Sequence, residues 1–170
     1  MKFAALIASV VAVAIVSAPL SAYAAVAAGK PAPALTSKLL DGSTFDLSAK
    51  KGRVVIVSFW ATWCGPCRQE MPALQAYYAR HHGEGLDLLA ISMDDSAKDK
   101  AVRNIMAAYS FPAAFNRQAM LGAYGRIWQL PTVFVIDRDG VVRFDGSETT
   151  GVFDAQKLDK VVGPLLKTGA

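Results

Sequence analysis

The sequence predicts a single α/β domain in which helices flank a central mixed β-sheet. Two long apolar runs, 54–60 and 86–93, are predicted strands, and the first has the near-continuous apolar character of a central strand that is covered on both faces. Each run is followed by a segment with apolar residues at helical spacing. Two further apolar runs flank Arg138-Asp139-Gly140, a typical hairpin turn that would add antiparallel strands to the sheet.

The first 24 residues have the pattern of a signal peptide. Lys2 supplies a positive start, residues 3–16 are apolar except for Ser9, and residues 22–24 read Ala-Tyr-Ala. We expect cleavage after Ala24 and export to the periplasm. An uncleaved membrane anchor is the alternative, because no charge lies between Lys2 and Lys30 and the apolar stretch is long enough to span a bilayer.

Removal of this leader changes what the composition indicates. The 53% hydrophobic content of the whole chain is raised by the Ala- and Val-rich leader, so it does not indicate a membrane protein. Residues 25–33 read as a linker and residues 34–170 as one domain. The roughly 145 residues that remain after the leader are enough for one domain with a full core. Without Lys2 the net charge is +3, and no Lys/Arg block favours nucleic-acid binding. We expect a monomer.

The first half of the domain reads as a hairpin, a strand and a long helix. Asp41-Gly42 is a turn signal between Leu39-Leu40 and residues 44–47. The run 54–60 is the first central strand. A helix is predicted from residue 64 or 66 to residue 82, with Pro72 kinking it, on the spacing of Met71, Leu74, Tyr77 and Tyr78.

The second half alternates strands and helices and ends in a hairpin and a helix. Strands are predicted at 86–93, 113–115, 132–137 and 141–144. Helices are predicted at 97–109, 120–124 and 154–167, and Gly163-Pro164 should weaken or bend the last of these. Four methionines lie among apolar positions and are predicted to belong to the core: Met71, Met93, Met106 and Met120.

Cys64 and Cys67 are the only two cysteines, and they follow the strand 54–60 directly. Two cysteines at this spacing in the first turn of a helix can form and break a disulfide with little backbone movement. Half of a zinc site is an alternative, but His81 and His82, the other candidate ligands, are adjacent and cannot easily both turn inward. An inert structural disulfide is a second alternative. We therefore predict a redox pair, with no metal.

The residues around the pair predict a division of labour between the two sulfurs. A helix N-terminus favours negative charge, so Cys64 should be the exposed attacking thiolate. Cys67, one turn further in, should resolve the mixed disulfide. The spacer Gly65-Pro66 contains no histidine to stabilise the thiolate. A thiolate that is stabilised less makes the pair a better electron donor than oxidant.

Two segments of the sequence resemble a known family. Residues 59–72, Phe-Trp-Ala-Thr-Trp-Cys-Gly-Pro-Cys-Arg-Gln-Glu-Met-Pro, resemble the active-site segment of the exported TlpA/ResA-like thiol-disulfide oxidoreductases, which have a thioredoxin-like fold. Residues 130–140 resemble the second signature of that family. The resemblance implies that Pro131 is cis and lies beside the disulfide. It also implies a substrate-binding surface composed of Trp63, Gly65, Pro66, Leu130 and Pro131.

The same resemblance indicates the partners that we expect. The substrates should be protein disulfides, with the haem-attachment cysteines of apocytochrome c as one candidate. A membrane-embedded thiol reductase should supply electrons, since an export compartment lacks a soluble reducing pool. No cofactor is expected other than the redox-active disulfide itself.

Ser58 is a departure from the thioredoxin pattern that points to Glu70. Thioredoxins place a buried acidic residue at the position of Ser58, where it handles the proton of the resolving thiol, and serine cannot serve as a base. Glu70 lies three residues after Cys67, one helical turn away, and is the candidate replacement. The alternative is that Glu70 is an exposed residue that favours the helix dipole.

Two other functions fit the cysteine pair less well. A thiol peroxidase would want a threonine three residues before the reactive cysteine, where this chain has Ala61, and a proline further upstream, where it has Val57. A copper-handling assembly factor could use both thiolates as Cu(I) ligands. The sequence offers no suitably placed third ligand for that role.

Overall fold

The computed structural model describes residues 26–148 and 151–168, which form a seven-stranded mixed sheet with helices against it. The strands are β1 (Thr36–Leu39), β2 (Thr44–Asp46), β3 (Val54–Trp60), β4 (Leu86–Ser92), β5 (Ala113–Ala119), β6 (Thr132–Ile136) and β7 (Val142–Asp145). The helices are α1 (Gly65–His81), α2 (Asp99–Met106), α3 (Ala155–Val161) and α4 (Gly163–Lys167). The strand order is β2-β1-β5-β4-β3-β6-β7. The central strands β3, β4 and β5 run parallel, and the remaining pairs are antiparallel.

Strand β3 divides the core into two layers. Its side chains alternate between the faces of the sheet, as the two-residue period of a strand requires. Val54, Ile56 and Trp60 belong to one apolar cluster, which also contains Cys64 and Cys67. Residues 55, 57 and 59 belong to a second apolar cluster on the other face. Every residue of β3 is buried, as predicted for a central strand, and every residue of β4 is buried as well.

The strand register brings three chain segments to one edge of the sheet, here called the carboxyl edge. The last residue of β3, Trp60, pairs with Ser92 at the end of β4. Thr132, the first residue of β6, pairs with Phe59. The loop that leads into α1 and the residues that precede β6 therefore meet at the carboxyl edge, where parallel strands usually present functional groups.

Several element bounds differ from those predicted, for identifiable reasons. Strand β5 continues to Ala119 because it pairs with β1 as well as with β4. Helix α2 begins only at Asp99, after a 3-10 turn that the Asp95 side chain caps through the Ala97 N–H. Of the predicted helix 120–124 only a 3-10 turn at Gly122–Tyr124 forms. The prediction that Met120 lies in the core is wrong, because the residue is 72% exposed.

The two helical segments that contain a proline differ in continuity. Helix α1 runs as one α-helix through Pro72 to His81. The carboxyl-terminal helix is instead divided into α3 and α4 at Val162, where Pro164 lies in the first turn of the second piece. Pro164 has no N–H to donate, so a new helix start accommodates it without loss of a hydrogen bond.

The structure describes residues 26–33 of the predicted linker and none of the predicted leader. Ala32 donates its N–H to the Gly140 carbonyl oxygen at 2.8 Å, and Gly29 donates to the Val142 carbonyl oxygen at 2.8 Å. The end of the predicted linker is thus hydrogen-bonded to the β6–β7 hairpin. The predicted signal peptide, residues 1–24, lies outside the described residues. Within the described part of the chain, no helix has both the length and the apolarity to cross a membrane.

Candidate active site

Cys64 and Cys67 form a disulfide at the start of helix α1. Cys64 occupies the N-cap position, and its sulfur accepts a hydrogen bond from the Cys67 N–H at 3.2 Å. The first helical turn contains no acidic residue, so the positive end of the helix dipole acts on the disulfide without an opposing charge there. The sequence correctly placed both sulfurs at a strand-to-helix junction.

The accessibility of the two sulfurs differs from the prediction in degree. Cys64 was expected to be exposed, but it is only 4% exposed, whereas Cys67 is 0% exposed. Each sulfur of a disulfide covers part of the other, and both residues pack into the apolar cluster beneath α1. Only Cys64 retains surface that another molecule could reach.

The residues predicted to bind substrate lie around the start of α1 and the start of β6. Trp63 is 71% exposed, directly before the disulfide. Gly65 is half-buried and Pro66 is exposed in the first turn of α1. The Leu130–Pro131 peptide bond is cis, as the resemblance implied. Leu130 packs against both apolar clusters, so it lies where the two layers meet at the carboxyl edge.

Glu70 lies in the interior, which contradicts the alternative that it is an exposed residue of the first helical turn. It is 1% exposed. One carboxylate oxygen accepts a hydrogen bond from the Ser58 hydroxyl at 3.1 Å, and the other accepts the Phe153 N–H at 3.0 Å. Burial raises the pKa of Glu70 from 4.5 to about 7, although the two hydrogen bonds and the charge of Lys157 oppose the shift.

Ser58, the departure from the thioredoxin pattern noted in the sequence, donates a hydrogen bond to Glu70 in the structure. The strand position that is acidic in thioredoxins holds a hydroxyl here, and helix α1 brings a carboxyl group to that hydroxyl. Glu70 and Cys67 lie one turn apart on α1, and both side chains are buried on its inner face. The site therefore holds a carboxyl group that can change its protonation near neutral pH.

A buried carboxylate that the sequence did not single out holds the turn before the disulfide. Asp94 is 3% exposed and follows β4. Its two oxygens accept the Thr62 N–H at 2.8 Å and the Thr62 hydroxyl at 2.7 Å. The Ser92 hydroxyl also donates to it at 2.9 Å. An acidic residue directly after a central parallel strand was the available signal, since such residues reach the carboxyl edge.

The metal alternatives gain no support from the arrangement of side chains. Among the described residues, no group of three or more His, Cys, Asp or Glu side chains is placed to hold a metal ion. His81 is half-buried beside Glu84, with 2.7 Å between the histidine Nδ1 and the carboxylate. His82 contacts the Leu86 carbonyl oxygen through Nδ1 at 3.1 Å. Both histidines lie at the end of α1 that is remote from the cysteines.

Comparison with known proteins identifies the family. The Redoxin family profile matches residues 27–162, which is most of the sequence. The chain belongs to the Redoxin family. This Redoxin chain is 38% identical over 117 residues to the thiol-disulfide oxidoreductase ResA of Bacillus thuringiensis (strain Al Hakam), a match that covers 67% of this chain and 66% of that relative. It is 34% identical over 120 residues to the ResA of Geobacillus thermodenitrificans (strain NG80-2), covering 70% of this chain and 68% of that relative.

Solved structures confirm the fold of this Redoxin chain. A thiol:disulfide interchange protein of the thioredoxin family from Chlorobium tepidum TLS superposes with a TM-score of 0.70 at 29% identity, covering 84% of this chain and 99% of that one. StoA from Bacillus subtilis superposes with a TM-score of 0.61 at 24% identity, over 78% of this chain and 98% of that one. The thioredoxin-like fold and the resemblance to ResA-like proteins are both confirmed.

Proposed function

We propose that this protein is a thiol-disulfide oxidoreductase that works as a dithiol reductant of protein disulfides. The observation that carries the proposal is the disulfide at the N-terminus of α1, in which Cys64 occupies the N-cap position and Cys67 lies one turn further in, fully buried. A structural disulfide would need no such asymmetry. A dithiol exchange reaction does, because one sulfur must meet the substrate while the other stays in reserve.

The reaction proceeds in two exchange steps. In the reduced protein the Cys64 thiolate attacks one sulfur of a substrate disulfide, forming a mixed disulfide and releasing the other substrate sulfur as a thiolate. The Cys67 thiolate then attacks the Cys64 sulfur, which breaks the mixed disulfide and releases the second substrate thiolate. Two electrons pass from the protein to the substrate. The products are the Cys64–Cys67 disulfide and a substrate dithiol, which receives two protons.

Glu70 is proposed to accept the proton of Cys67 before the second step. Its raised pKa of about 7 lets it exist in both protonation states near neutral pH. Its position one turn beyond Cys67 and the fixed hydrogen bonds from Ser58 and Phe153 keep the carboxyl group in one place. The charge of a carboxylate there also disfavours a neighbouring thiolate, which supports a reducing couple.

The setting of the reaction is inferred from the sequence. The leader at residues 1–24 supports export to the periplasm, where a membrane-embedded thiol reductase would regenerate the dithiol. The Gly65-Pro66 spacer, which has no charge-stabilising side chain, supports the direction from protein to substrate. Apocytochrome c, with its haem-attachment cysteine pair, is one candidate substrate.

The experiment that tests this function is substrate trapping in the export compartment. A Cys67→Ala protein should accumulate as long-lived mixed disulfides through Cys64, because the resolving thiolate is absent. A Cys64→Ser protein, the matched control, should form none and should show no exchange activity. Modification of Cys67 rather than Cys64 by a slow alkylating reagent in the native reduced protein would reverse the assignment. Absence of mixed disulfides in both variants would refute the proposed function.

A further inference from the structure

Three large apolar side chains stand out as exposed in the described residues, one directly before the disulfide and two in a connection whose ends lie at the carboxyl edge. They are Trp63 at 71%, Met120 at 72% and Trp128 at 78% exposure. Trp63 precedes Cys64, and the other two belong to the connection between β5 and β6, residues 120–131. Strand β5 runs parallel to β4 and β3, and β6 begins beside the end of β3, so both ends of this connection lie at the edge that carries the disulfide.

The connection is anchored at several points, which leaves Trp128 presented from a fixed backbone. Tyr124 is 3% exposed and packs against the rings of Phe59 and Phe134, with centroids 6.3 and 5.5 Å away. Ile127 packs against the second cluster and Leu130 against both. Trp128 belongs to neither cluster. A large side chain held in water on an ordered segment loses little conformational entropy when a partner covers it.

Arg126 makes the contact that shapes this exposed surface. Its guanidinium carbon lies 4.2 Å from the centroid of the Trp128 ring, so one face of the indole carries a positive charge. Arg126 is itself exposed, and it takes part in none of the ion pairs between described residues. Trp128 and Arg126 therefore form one unit, apolar on the ring and cationic beside it.

The charged side chains of the two segments that border the disulfide all have one sign, while the carboxyl groups of Asp94 and Glu70 also lie close to the site. Residues 61–69 and 116–131 contain three arginines, Arg68, Arg117 and Arg126, and no Asp or Glu. Arg117 is paired with Asp99. The exposed side chain of Arg68 lies in the first turn of α1, one residue after Cys67. A partner with negative charge near its reactive sulfur would be attracted by the exposed side chains of Arg68 and Arg126 and would meet no repulsion from these two segments.

We propose that Trp128 and Arg126 are the specificity element for a polypeptide substrate that carries an apolar side chain and a carboxylate next to its reactive cysteine. The inference rests on the proposed function and names the class of substrate. The apolar side chain packs on the Trp128 ring, the carboxylate pairs with Arg126, and the cysteine reaches Cys64. The occupant of this surface is an acidic, extended segment of a partner protein.

A set of matched peptides tests the inference with the full-length reduced protein. Each peptide carries one cysteine, as its disulfide with 2-mercaptoethanol, flanked by Glu and Leu, by Lys and Leu, or by Glu and Gly. The second-order rate constant of reduction is measured for each. The wild-type protein should prefer the Glu/Leu peptide to either of the others by about fivefold or more.

Two variants separate the apolar and the charged parts of the element. Trp128→Ala should remove the preference for Leu over Gly, and Arg126→Glu should reverse the preference for Glu over Lys. Arg80→Glu is the matched control, since this exposed arginine lies 15 residues along α1 from Gly65, about 22 Å away, and should leave both preferences unchanged.

The outcomes distinguish failure of the inference from failure of the function. Equal rates for all three peptides in the wild type would overturn the inference and leave the oxidoreductase intact. A Trp128→Ala protein that is slowed equally on all three peptides would also overturn it, since the tryptophan would then only support the site. A reduced wild-type protein that reduces none of the peptides would overturn the proposed function itself.

Discussion

At the scale of single residues, Glu70 makes the free energy of unfolding depend on pH. Its pKa is raised from 4.5 to about 7 by burial. Between these two values the folded protein keeps a proton that the unfolded chain has lost, so the free energy of unfolding falls as pH rises from 4.5 to 7. The difference between the two pKa values corresponds to a decrease of about 3 kcal/mol in the free energy of unfolding over this pH range. Below pH 4.5 the carboxyl group is protonated in both states and has no such effect.

The first prediction concerns this stability. In the oxidised protein, where the cysteines do not titrate, Glu70→Gln should become more stable than the wild type as pH rises from 4.5 to 8, by about 3 kcal/mol at the upper end. An amide can still accept from the Phe153 N–H and donate to Ser58, so the comparison isolates the charge. Denaturant unfolding at several pH values measures the effect. A difference between the two proteins that does not vary with pH would contradict it.

The second prediction concerns the thiols of the reduced protein. A carboxylate near a thiol disfavours the thiolate, so Glu70→Gln should lower the apparent thiol pKa values. The two thiols can titrate as a coupled unit, so the shift belongs to the pair. Loss of the proton acceptor should also slow reduction of protein disulfides. Thiolate absorbance measured against pH gives the thiol pKa values, and stopped-flow kinetics give the exchange rates. Titration curves and exchange rates equal to those of the wild type would leave Glu70 without a role in the exchange.

At the scale of elements, the turn between β3 and α1 depends on a carboxylate that follows β4. Asp94 accepts two hydrogen bonds from Thr62, two residues before Cys64. Removal of the carboxylate would leave a buried N–H and a hydroxyl without partners. Each unsatisfied buried group costs about 1–3 kcal/mol. The position of Cys64 at the helix start is therefore secured by hydrogen bonds to the residue Asp94 beyond β4 as well as by the local sequence.

The third prediction compares two neighbouring carboxylates. Asp94→Ala should lower the free energy of unfolding by about 2–4 kcal/mol and slow exchange at Cys64, because the turn loses both bonds. Asp95→Ala is the control, since Asp95 is exposed and caps only a 3-10 turn through the Ala97 N–H. It should cost about 1 kcal/mol and leave exchange unchanged. Equal effects of the two substitutions on stability and exchange would contradict the role of Asp94.

The elements also show how far local sequence could predict this structure. The bounds of β3 were predicted from a near-continuous apolar run, and the disulfide from spacing that is set within one helical turn. Glu70 was found from its spacing to Cys67, but its partner Phe153 is 83 residues away. The contact of Asp94 with Thr62 and the extension of β5 to Ala119 likewise depend on pairing between distant segments. Periodicity within one segment contains no information about such partners.

At the scale of the whole molecule, one side chain ties together the edge opposite the disulfide. Arg138, in the turn between β6 and β7, donates to the carbonyl oxygens of Gly52 at 2.6 Å, Glu84 at 3.2 Å and Leu166 at 3.0 Å. These residues precede β3, precede β4 and end α4, respectively. A planar guanidinium can serve three acceptors at once, which a lysine cannot do with the same geometry.

The fourth prediction follows from this connection. Arg138→Met should lower the free energy of unfolding by about 2–3 kcal/mol, since three hydrogen bonds are lost. The rate of thiol-disulfide exchange should not change, because the disulfide lies at the other edge of the sheet. Arg80→Met, at an exposed position, should affect neither quantity measurably. A stable Arg138→Met protein with altered exchange would show that Arg138 acts on the site and not on the fold.

The direction of electron transfer is decided by the reduction potential of the Cys64–Cys67 couple, which equilibration against glutathione measures. The first turn of helix α1 has no acidic residue that would oppose a thiolate. However, the Gly65-Pro66 spacer has no group that stabilises the thiolate, and the carboxyl group of Glu70, one turn beyond Cys67, disfavours it. We predict that the Cys64–Cys67 couple is reversible and has a potential below roughly −200 mV, in the range of dithiol reductants. A potential near roughly −120 mV, typical of strong oxidants, would contradict it.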